Sequence, residues 1–376
     1  MRIGIDVTWL KPSKSGGVES FFRNLLDGFL VLEDKNEYYL FFAKDNIESF
    51  LHYQKDNRIK CIECNTKANE VIKHLIWQNI YQWNLFEKYK VDLCYFPVYE
   101  TPILKNKKLT SITTIHDIQA IHYPEYFPKS ERIWYNIGWK ATIKNSYLVV
   151  AISDFTKNDL IEHFSYKNKF KTIYNPIVLN NNEPIEFSIL SEKYGIKKDD
   201  YYYTVCSMLK HKNLISLVNV IEKINNSNLN IPKKLVISGV SGPNKENFYN
   251  EIKEKGLENN VILTQFVSNE ERNCLIQNSN VFLFPSLFEG FGMPPIEAMM
   301  LGSKVISSKK TSLYEVTKNK CVYVENPLDV DEWIKKIVQI QKEEKRIIEF
   351  PEYTKENIAR QYLDTFYNVK RIKEGK

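Results

Sequence analysis

The sequence predicts an α/β fold made of two doubly wound, Rossmann-like domains. Its 376 residues exceed the usual size of one domain and favour two. Short apolar runs alternate with stretches of helical periodicity in both halves of the chain, which is the pattern of parallel sheets covered by helices. In each half, one strand is followed by glycines and then by a helix. This order places backbone N–H groups at the edge of a sheet where α/β proteins bind ligands.

The first domain is predicted over residues 1–178. Helical periodicity over residues 19–30 follows the pair Gly16 and Gly17. These glycines are explained either by a tight turn between strand and helix or by an anion-binding helix start. The strands of this domain are expected at residues 2–7, 38–43, 59–64, 92–97, 109–115 and 146–153.

The second domain is predicted over residues 200–352. Residues 179–199, which are rich in Asn, Glu and Ser and show little periodicity, are predicted to be the linker between the domains. The strands of the second domain are expected at residues 201–207, 235–239, 261–266, 281–284 and 304–307.

Composition and motifs argue against several classes of protein. The net charge of +6 is a mild bias toward anionic surfaces or phosphorylated ligands. Basic residues are scattered, and no zinc-finger, RNP or basic-zipper pattern occurs, so no nucleic-acid partner is expected. Cys61 and Cys64 form a C-x2-C without a second ligand pair, and alternation along a strand explains them better than a metal or redox site. The sequence has no signal-peptide pattern and no membrane-spanning run, which predicts a cytoplasmic protein.

The most informative stretch is residues 281–302, VFLFPSLFEGFGMPPIEAMMLG. An apolar strand is followed by a glycine turn at Glu289-Gly-Phe-Gly292, and a helix is predicted after Pro295. Glu289 lies in the turn and Glu297 in the predicted first turn of the helix. Each carboxylate could accept hydrogen bonds from neighbouring hydroxyls of a ribose or a sugar. Taken alone, either glutamate is more simply a loop acid or a complement to the helix dipole.

The string from Glu289 to Glu297 resembles the Glu-x7-Glu motif of retaining, nucleotide-sugar-dependent glycosyltransferases of family 4, which have the GT-B fold. The agreement runs almost position by position over PSLFEGFGMPPIEAMMLG and includes both acids and both glycines. The resemblance implies two Rossmann-like domains facing a central cleft, with the acceptor on the N-terminal side and the nucleotide sugar on the C-terminal side. It also implies that the last helix, within residues 353–376, crosses back onto the first domain.

The resemblance assigns candidate residues to the donor. The segment SMLKHKN, residues 207–213, is similar to a family segment whose lysine neutralises the donor diphosphate, and this lysine corresponds to Lys212. Cys206 stands where glycine is usual and Ser207 where arginine is frequent, so Lys210 or His211 is expected to replace the absent charge. The candidate donor-binding residues are Gly16, Gly17, Ser207, Lys212, Glu289, Gly290, Phe291, Gly292, Met293 and Glu297.

His116 follows the strand expected at residues 109–115, and polar residues at strand ends commonly enter a site. Taken alone, this histidine is as well explained by a satisfied loop position. It resembles the histidine of the family's His-Asp pair, which lies under the donor sugar near the anomeric carbon. The candidate catalytic residues are therefore His116, Glu289 and Lys212.

The predicted function is transfer of a hexosyl group, with retention of configuration, from a nucleotide sugar such as a GDP- or UDP-hexose. The expected acceptor is a glycan or polyprenyl-linked glycan, as in cell-surface polysaccharide synthesis. One alternative is a catalytically silent sugar-nucleotide-binding protein that acts as a partner subunit. A nicotinamide enzyme is disfavoured because neither glycine turn has the dinucleotide-binding spacing.

No cofactor and no metal ion are expected. Lys212, the backbone amides of Gly16 and Gly17 and a helix dipole can stabilise the departing diphosphate. Asp329-Val-Asp331 imitates a metal-binding D-x-D motif but precedes a helical stretch, so these acids are predicted to cap that helix.

Two Trp-rich, Lys-flanked stretches, residues 77–83 and 134–139, leave two interpretations open. Apolar stripes of this kind more often belong to a core. Together with the basic charge they also support the hypothesis of a peripheral contact with the anionic inner face of the cytoplasmic membrane.

Overall fold

The computed structural model describes residues 1–12, 16–99, 101–164, 166, 169–179, 184–240 and 245–375. The chain forms two compact units. The N-terminal unit comprises Met1–Val178 and Pro351–Lys376, and the C-terminal unit comprises Leu179–Phe350. Each unit is built on one parallel sheet, so the predicted α/β class with two Rossmann-like domains is confirmed.

The N-terminal unit has a seven-stranded sheet with the order β3-β2-β1-β4-β5-β6-β7. Its strands are β1 (Arg2–Asp6), β2 (Glu37–Ala43), β3 (Ile59–Cys64), β4 (Leu93–Phe96), β5 (Ser111–Ile115), β6 (Leu148–Ala151) and β7 (Phe170–Thr172). Its helices are α1 (Gly16–Val31), α2 (Val71–Lys88), α3 (Gln119–His122), α4 (Lys129–Asn145), α5 (Asp154–Phe164) and the last helix of the chain, α13 (Lys355–Glu374). From β1 the chain continues to β2, toward one edge of the sheet, and from the neighbouring β4 it continues to β5, toward the other edge. The carboxyl ends of β1 and β4 therefore form a switch point.

The last helix, α13, belongs to the N-terminal unit, as predicted, and packs against α1. Gly28 of α1 allows this close approach, because a Cβ atom there would collide with the carbonyl oxygen of Lys355. Tyr362 and Phe366 of α13 are fully buried, and both rings contact the ring of Tyr95 on β4. These large aromatic contacts make α13 part of the core of the N-terminal unit.

The C-terminal unit has a six-stranded sheet with the order β10-β9-β8-β11-β12-β13, which repeats the order of the first six strands of the N-terminal unit. Its strands are β8 (Tyr202–Val205), β9 (Leu235–Ser238), β10 (Val261–Leu263), β11 (Val281–Phe284), β12 (Val305–Ser308) and β13 (Val322–Val324). Its helices are α6 (Phe187–Tyr194), α7 (Leu214–Asn225), α8 (Lys245–Glu254), α9 (Asn269–Asn278), α10 (Met293–Met300), α11 (Leu313–Val316) and α12 (Val330–Ile340). Every residue of the central strand β11 is buried, as expected for an apolar strand in a parallel sheet.

Several predicted boundaries need correction. Residues 179–199 are not a plain linker, because they contain α6, whose Leu190 is buried within the C-terminal unit. The strand β10 ends before residue 266, and Phe266 is 87% exposed. The helix α1 begins at Gly16, with a φ of +53°, so the two glycines form its first turn instead of preceding it. The strands β7 and β13 were not among the predicted strands. Each has three residues, and a run this short shows little periodicity.

None of the described helices is long and apolar enough to cross a membrane. The tryptophans of the two Trp-rich stretches are mostly core residues: Trp77, Trp83 and Trp139 are buried, whereas Trp134 is exposed. The core interpretation is therefore correct for these three side chains.

Candidate functional site

Two loops of the C-terminal unit meet at the carboxyl ends of β8 and β11. These strands are neighbours, but the chain continues from them toward opposite edges of the sheet, which creates the switch point where α/β sheets bind ligands. The first loop, residues 206–213, leads to α7, and the second, residues 285–292, leads to α10. The N–H group of Leu287 donates to the carbonyl oxygen of His211 at 2.7 Å, and Asn213 Nδ2 donates to that of Pro285 at 3.2 Å. Hydrogen bonds therefore hold the loops together.

These loops bring Lys212 and Glu289 into contact. The Nζ atom of Lys212 lies 2.7 Å from Oε1 of Glu289. The two side chains are 18% and 12% exposed, so water reaches the pair only in part. Attraction between charges is stronger in such a partly dehydrated place than at an open surface. The structure thus places a cation and a carboxylate side by side at the switch point.

The backbone at Glu289 is fixed by hydroxyl groups that follow β12. Thr311 Oγ1 accepts from the N–H of Glu289 and donates to its carbonyl oxygen, both at 3.0 Å. Ser312 Oγ lies 2.9 Å from the carbonyl oxygens of Glu289 and Phe291. Gly292, with a φ of +89°, immediately precedes α10, and a Cβ atom there would collide with the side chain of Leu313. These hydrogen bonds fix the backbone from which the carboxylate of Glu289 reaches Lys212.

The helix α10 begins at Met293, before the two prolines, which both lie in its first turn. Prolines fit there because these positions need no N–H group for the helix. Glu297 is therefore in the second turn and not, as predicted, in the first. Its Oε1 atom lies 3.6 Å from Nη2 of Arg272 on α9. Arg272 is a residue that the sequence prediction missed, because the helix that carries it has no recognisable binding motif.

The remaining predicted donor residues of the C-terminal unit lie in the same two loops or, for Met293, at the start of α10. Ser207 is exposed at the start of the first loop, and Lys210 is exposed later in it. In the second loop Gly290 and Phe291 are buried, while Met293 at the start of α10 is partly buried. All these positions are therefore at the carboxyl edge of the sheet in the C-terminal unit.

His211 cannot supply the charge that the sequence prediction expects from it. The side chain is buried, and burial together with the nearby Lys212 lowers the pKa of its imidazole to about 3. The ring is therefore neutral near pH 7. Of the described side chains, Arg272 brings a further cation to this edge of the sheet, through its contact with Glu297.

Cys206 follows β8 at the start of the first loop. Burial, with a smaller effect of Glu289, raises the pKa of its thiol to about 12. A protonated thiol is a weak nucleophile. Cys206 is therefore a packing residue and not a candidate for covalent chemistry.

In the N-terminal unit, Gly16 and Gly17 form the exposed first turn of α1. His116 follows β5, and its Nε2 atom donates to the carbonyl oxygen of Pro97 at 2.9 Å, so the proton resides on Nε2. Burial lowers the pKa of this imidazole to about 4, and the ring is neutral near pH 7. The ring of Phe21 on α1 packs edge-on against it, with the ring centroids 4.9 Å apart. The histidine is thus fixed in both tautomer and orientation.

The acids that imitate a D-x-D motif cap a helix, as predicted. Asp329 Oδ1 accepts from the N–H groups of Asp331 at 2.9 Å and Glu332 at 3.2 Å, at the start of α12. Asp331 itself lies 2.6 Å from Lys223 Nζ.

Comparison with known proteins agrees with this arrangement. Residues 15–181 match the protein family described as "Glycosyltransferase Family 4", and residues 186–361 match the family described as "Glycosyl transferases group 1". The O-antigen chain mannosyltransferase B of Escherichia coli is 26% identical over 226 residues, which are 59% of this chain and 58% of that protein. The O-antigen chain mannosyltransferase RfbU of Salmonella typhimurium is 25% identical over 297 residues, 78% of each chain.

A solved structure with the same fold is Anabaena HepE in complex with UDP and glucose. It aligns with a TM-score of 0.68 and 17% identity over 100% of this chain and 99% of that one. The two family matches together account for most of the chain, and the Glu-x7-Glu string lies inside the second match. The chain therefore belongs to glycosyltransferase family 4 and is a glycosyltransferase of group 1.

Proposed function

We propose that this glycosyltransferase moves a hexosyl group from a nucleotide sugar to a hydroxyl of a glycan or lipid-linked glycan, with retention of anomeric configuration. The observation that carries the proposal is the ion pair of Lys212 and Glu289, 2.7 Å apart at the switch point of the C-terminal unit. The relatives described as O-antigen chain mannosyltransferases favour mannose as the transferred sugar and cell-surface polysaccharide as the product.

The ion pair suits a donor with two chemically different halves. The diphosphate is anionic and would bind the ammonium group of Lys212, while neighbouring sugar hydroxyls would donate to the carboxylate of Glu289. The two side chains satisfy each other across 2.7 Å. A bound donor would exchange this contact for one contact with each half, so neither charge is left buried without a partner.

Catalysis follows from the positions where charge develops. As the bond between the sugar and the diphosphate breaks, negative charge builds on the leaving group and positive charge on the sugar ring. Lys212 would stabilise the first and Glu289 the second. Because a fixed ammonium group already faces the leaving group in this scheme, the reaction is proposed to proceed without a divalent metal ion.

Glu297 is assigned to the ribose of the nucleotide, with Arg272 holding its carboxylate from 3.6 Å away. This assignment would make Glu297 a binding residue that is used equally before and after transfer. In the N-terminal unit, His116 and the start of α1 at Gly16 and Gly17 keep their predicted roles toward the sugar and the diphosphate. His116 would act as a neutral hydrogen-bonding group.

The test is incubation of the protein with GDP- and UDP-hexoses, with and without lipid-linked glycans extracted from membranes. We expect release of nucleoside diphosphate from one donor, dependent on an acceptor, and a product whose anomeric configuration by NMR equals that of the donor. Binding of a nucleotide sugar without turnover by any acceptor would favour the catalytically silent alternative. Failure to bind any nucleotide sugar would contradict the proposal.

We also propose that α2 contacts an anionic membrane surface at the cytoplasmic face. Ile72, Ile76 and Ile80 are 75%, 55% and 56% exposed, and Lys73 and Lys88 line the same groove as Ile76. Exposed apolar side chains beside lysines bind anionic lipid interfaces weakly and in a salt-sensitive way. Cosedimentation with phosphatidylglycerol vesicles at low salt should fall for Ile76→Asp. No cosedimentation of the unchanged protein would contradict this contact.

A further inference from the structure

Three side chains of types that commonly bind metal ions converge in the N-terminal unit, and none of the three is assigned to the nucleotide sugar. His122 ends α3, and Asp159 and His163 lie on α5. The Nε2 atom of His122 is 2.8 Å from both carboxylate oxygens of Asp159. The Nδ1 atom of His163 is 3.2 Å from Oδ1 of the same carboxylate and donates a hydrogen bond to the backbone carbonyl oxygen of Asp159 at 2.9 Å. One ligand atom from each residue lies within 4.8 Å of the others.

The fold explains this convergence. The strands β5 and β6 are parallel neighbours, so the helices that follow them, α3 and α5, begin at the same edge of the sheet. Residues four apart on a helix share one face, which places Asp159 and His163 together. His122, at the end of the short helix α3, completes the group from the side.

The surroundings suit an ion that enters from solvent. The side chain of Asp159 is 6% exposed, whereas those of His122 and His163 are 33% and 29% exposed. A carboxylate this deeply buried requires a cationic or hydrogen-bonding partner. The two imidazoles form a half-open rim above it, through which a hydrated ion can reach the carboxylate.

The donor set selects the class of ion. Two imidazole nitrogens and one carboxylate are the ligands that zinc and similar divalent transition metals use, with a further position left for water. Magnesium and calcium prefer sets made of oxygen atoms and bind imidazole poorly. We propose that His122, Asp159 and His163 form a binding site for Zn²⁺ or a similar divalent transition-metal ion. On binding, the metal ion would displace the hydrogen bond of His122 to the carboxylate and that of His163 Nδ1 to the backbone carbonyl oxygen of Asp159. Each neutral ring would then carry its proton on its other nitrogen.

The bound ion would tie α3 to α5. Thr156, one turn before Asp159, lies with its Oγ1 atom 3.3 Å from the carbonyl oxygen of His116, to which it donates. The tie would therefore brace the segment that carries His116, and its expected effect is on the stability of the N-terminal unit. The site does not depend on the proposed transfer reaction, because none of its three residues is assigned to the donor.

The test uses untagged full-length protein freed of metal by a chelator and then titrated with Zn²⁺ in competition with a chromophoric indicator. We expect one equivalent to bind, with an affinity more than about tenfold weaker in His122→Gln and in His163→Gln. His52→Gln is the matched control, since His52 is an exposed histidine of the same unit outside the group. Magnesium in excess should not compete.

Two further readouts make the result independent of activity. Zinc at a hundredfold excess over its dissociation constant should raise the melting temperature by about 5 °C, and this rise should disappear in His163→Gln. Cobalt bound in place of zinc should show visible absorption without the intense band of a thiolate ligand. No zinc binding, or one equivalent that persists in both histidine variants, would overturn the proposal. In the second case the ion is held elsewhere, and a thiolate band would identify a cysteine.

Discussion

The two units share a strand order but carry different chemistry at the corresponding edge of the sheet. In the C-terminal unit, the loops after β8 and β11 hold an ion pair, Lys212 with Glu289, that is partly open to water. In the N-terminal unit, the end of β1 holds Asp6, which is fully buried, and its Oδ1 atom accepts from the N–H and hydroxyl groups of Thr8 at 3.0 and 2.7 Å. Burial raises the pKa of this carboxyl group. The sheet determines where a ligand can bind, and the loops determine which charges it meets.

This difference suggests a division of labour. An edge with accessible charges of both signs suits a nucleotide sugar, whose diphosphate needs a cation and whose hydroxyls need acceptors. An edge with a buried carboxyl group and the neutral imidazole of His116 suits uncharged sugar rings, both the transferred sugar and a glycan acceptor, which are recognised by hydrogen bonds. If the division is correct, changes in charge in the C-terminal unit should affect the reaction far more than changes in pH that act on the histidine of the N-terminal unit.

The largest effect is expected for Lys212→Met. Methionine keeps most of the length and apolar volume of lysine but removes the ammonium group that would face the leaving diphosphate. Loss of such a preorganised charge costs about 2.7 to 4 kcal/mol, so kcat/KM should fall by roughly a hundredfold to a thousandfold. Affinity for free nucleoside diphosphate, measured by calorimetry, should fall as well.

The matched control is Lys223→Met, because Lys223 also forms a 2.6 Å ion pair, with Asp331, but the two side chains are 53% and 74% exposed. An exposed pair contributes little, and kcat/KM should change by less than about twofold. Thermal melting of both variants separates misfolding from lost chemistry. If the two variants lost activity equally, Lys212 would have no special role at the site.

The next effect, in order of size, is expected for Glu289→Gln. The carboxylate would stabilise charge that grows on the sugar ring in the transition state, so kcat should fall by roughly tenfold to a hundredfold, which corresponds to about 1.4 to 2.8 kcal/mol. Affinity for the nucleoside diphosphate should stay the same or improve, because the variant releases Lys212 from its ion pair. A loss of nucleotide affinity as large as that in Glu297→Gln would contradict the separate roles of the two glutamates.

A smaller effect, on binding alone, is expected for Glu297→Gln. Ribose contacts are the same in substrate, transition state and product, so their loss should raise the KM for the donor by about tenfold with little change in kcat. Arg272→Gln should produce a milder change in the same direction, because Arg272 contacts the carboxylate of Glu297. Steady-state kinetics for both variants test this. A fall in kcat with unchanged KM would move Glu297 from the ribose to the reacting sugar.

The sequence was sufficient to predict what depends on a local pattern. The alternation of strands and helices predicted both sheets except for their short strands β7 and β13, and the string around Glu289 predicted the turn between β11 and α10. Helix boundaries were less predictable: Glu297 lies one turn deeper than expected, because α10 begins before its two prolines. A proline in a first turn is compatible with a helix that starts on either side of it.

Individual side-chain contacts between distant segments could not be predicted. Arg272 meets Glu297 only because α9 and α10 pack together, and the sequence of α9 contains no sign of this contact. His211 is adjacent to Lys212 in the chain, yet one side chain is buried and neutral while the other forms an ion pair. Direction and burial of a loop side chain depend on tertiary packing, and a motif specifies only the order of residues.

The smallest effect on the rate is expected for a change in pH between about 6.5 and 8, as far as His116 is concerned. His116 is neutral throughout this range because burial lowers the pKa of its imidazole to about 4, so its protonation should add no step to the profile of kcat/KM between pH 6.5 and 8. A histidine with an ordinary pKa that worked as a cation would instead lose activity above pH 6.5. Long-range ¹H–¹⁵N spectra should show the proton of His116 on Nε2 at pH 8 and still only there at pH 5.5.

The same lowered pKa should appear in the stability of the N-terminal unit. Between pH 6.5 and about 4, the unfolded imidazole binds a proton that the folded one does not, so stability is intact above pH 6.5 and falls as the pH falls. At pH 5 the loss from His116 is about 2 kcal/mol. Urea unfolding at pH 7 and pH 5 should therefore show a smaller loss for His116→Gln than for the unchanged protein. Equal losses, or a titration of His116 near pH 6.5, would show that this edge of the N-terminal unit holds a charge after all and would remove the contrast between the two units.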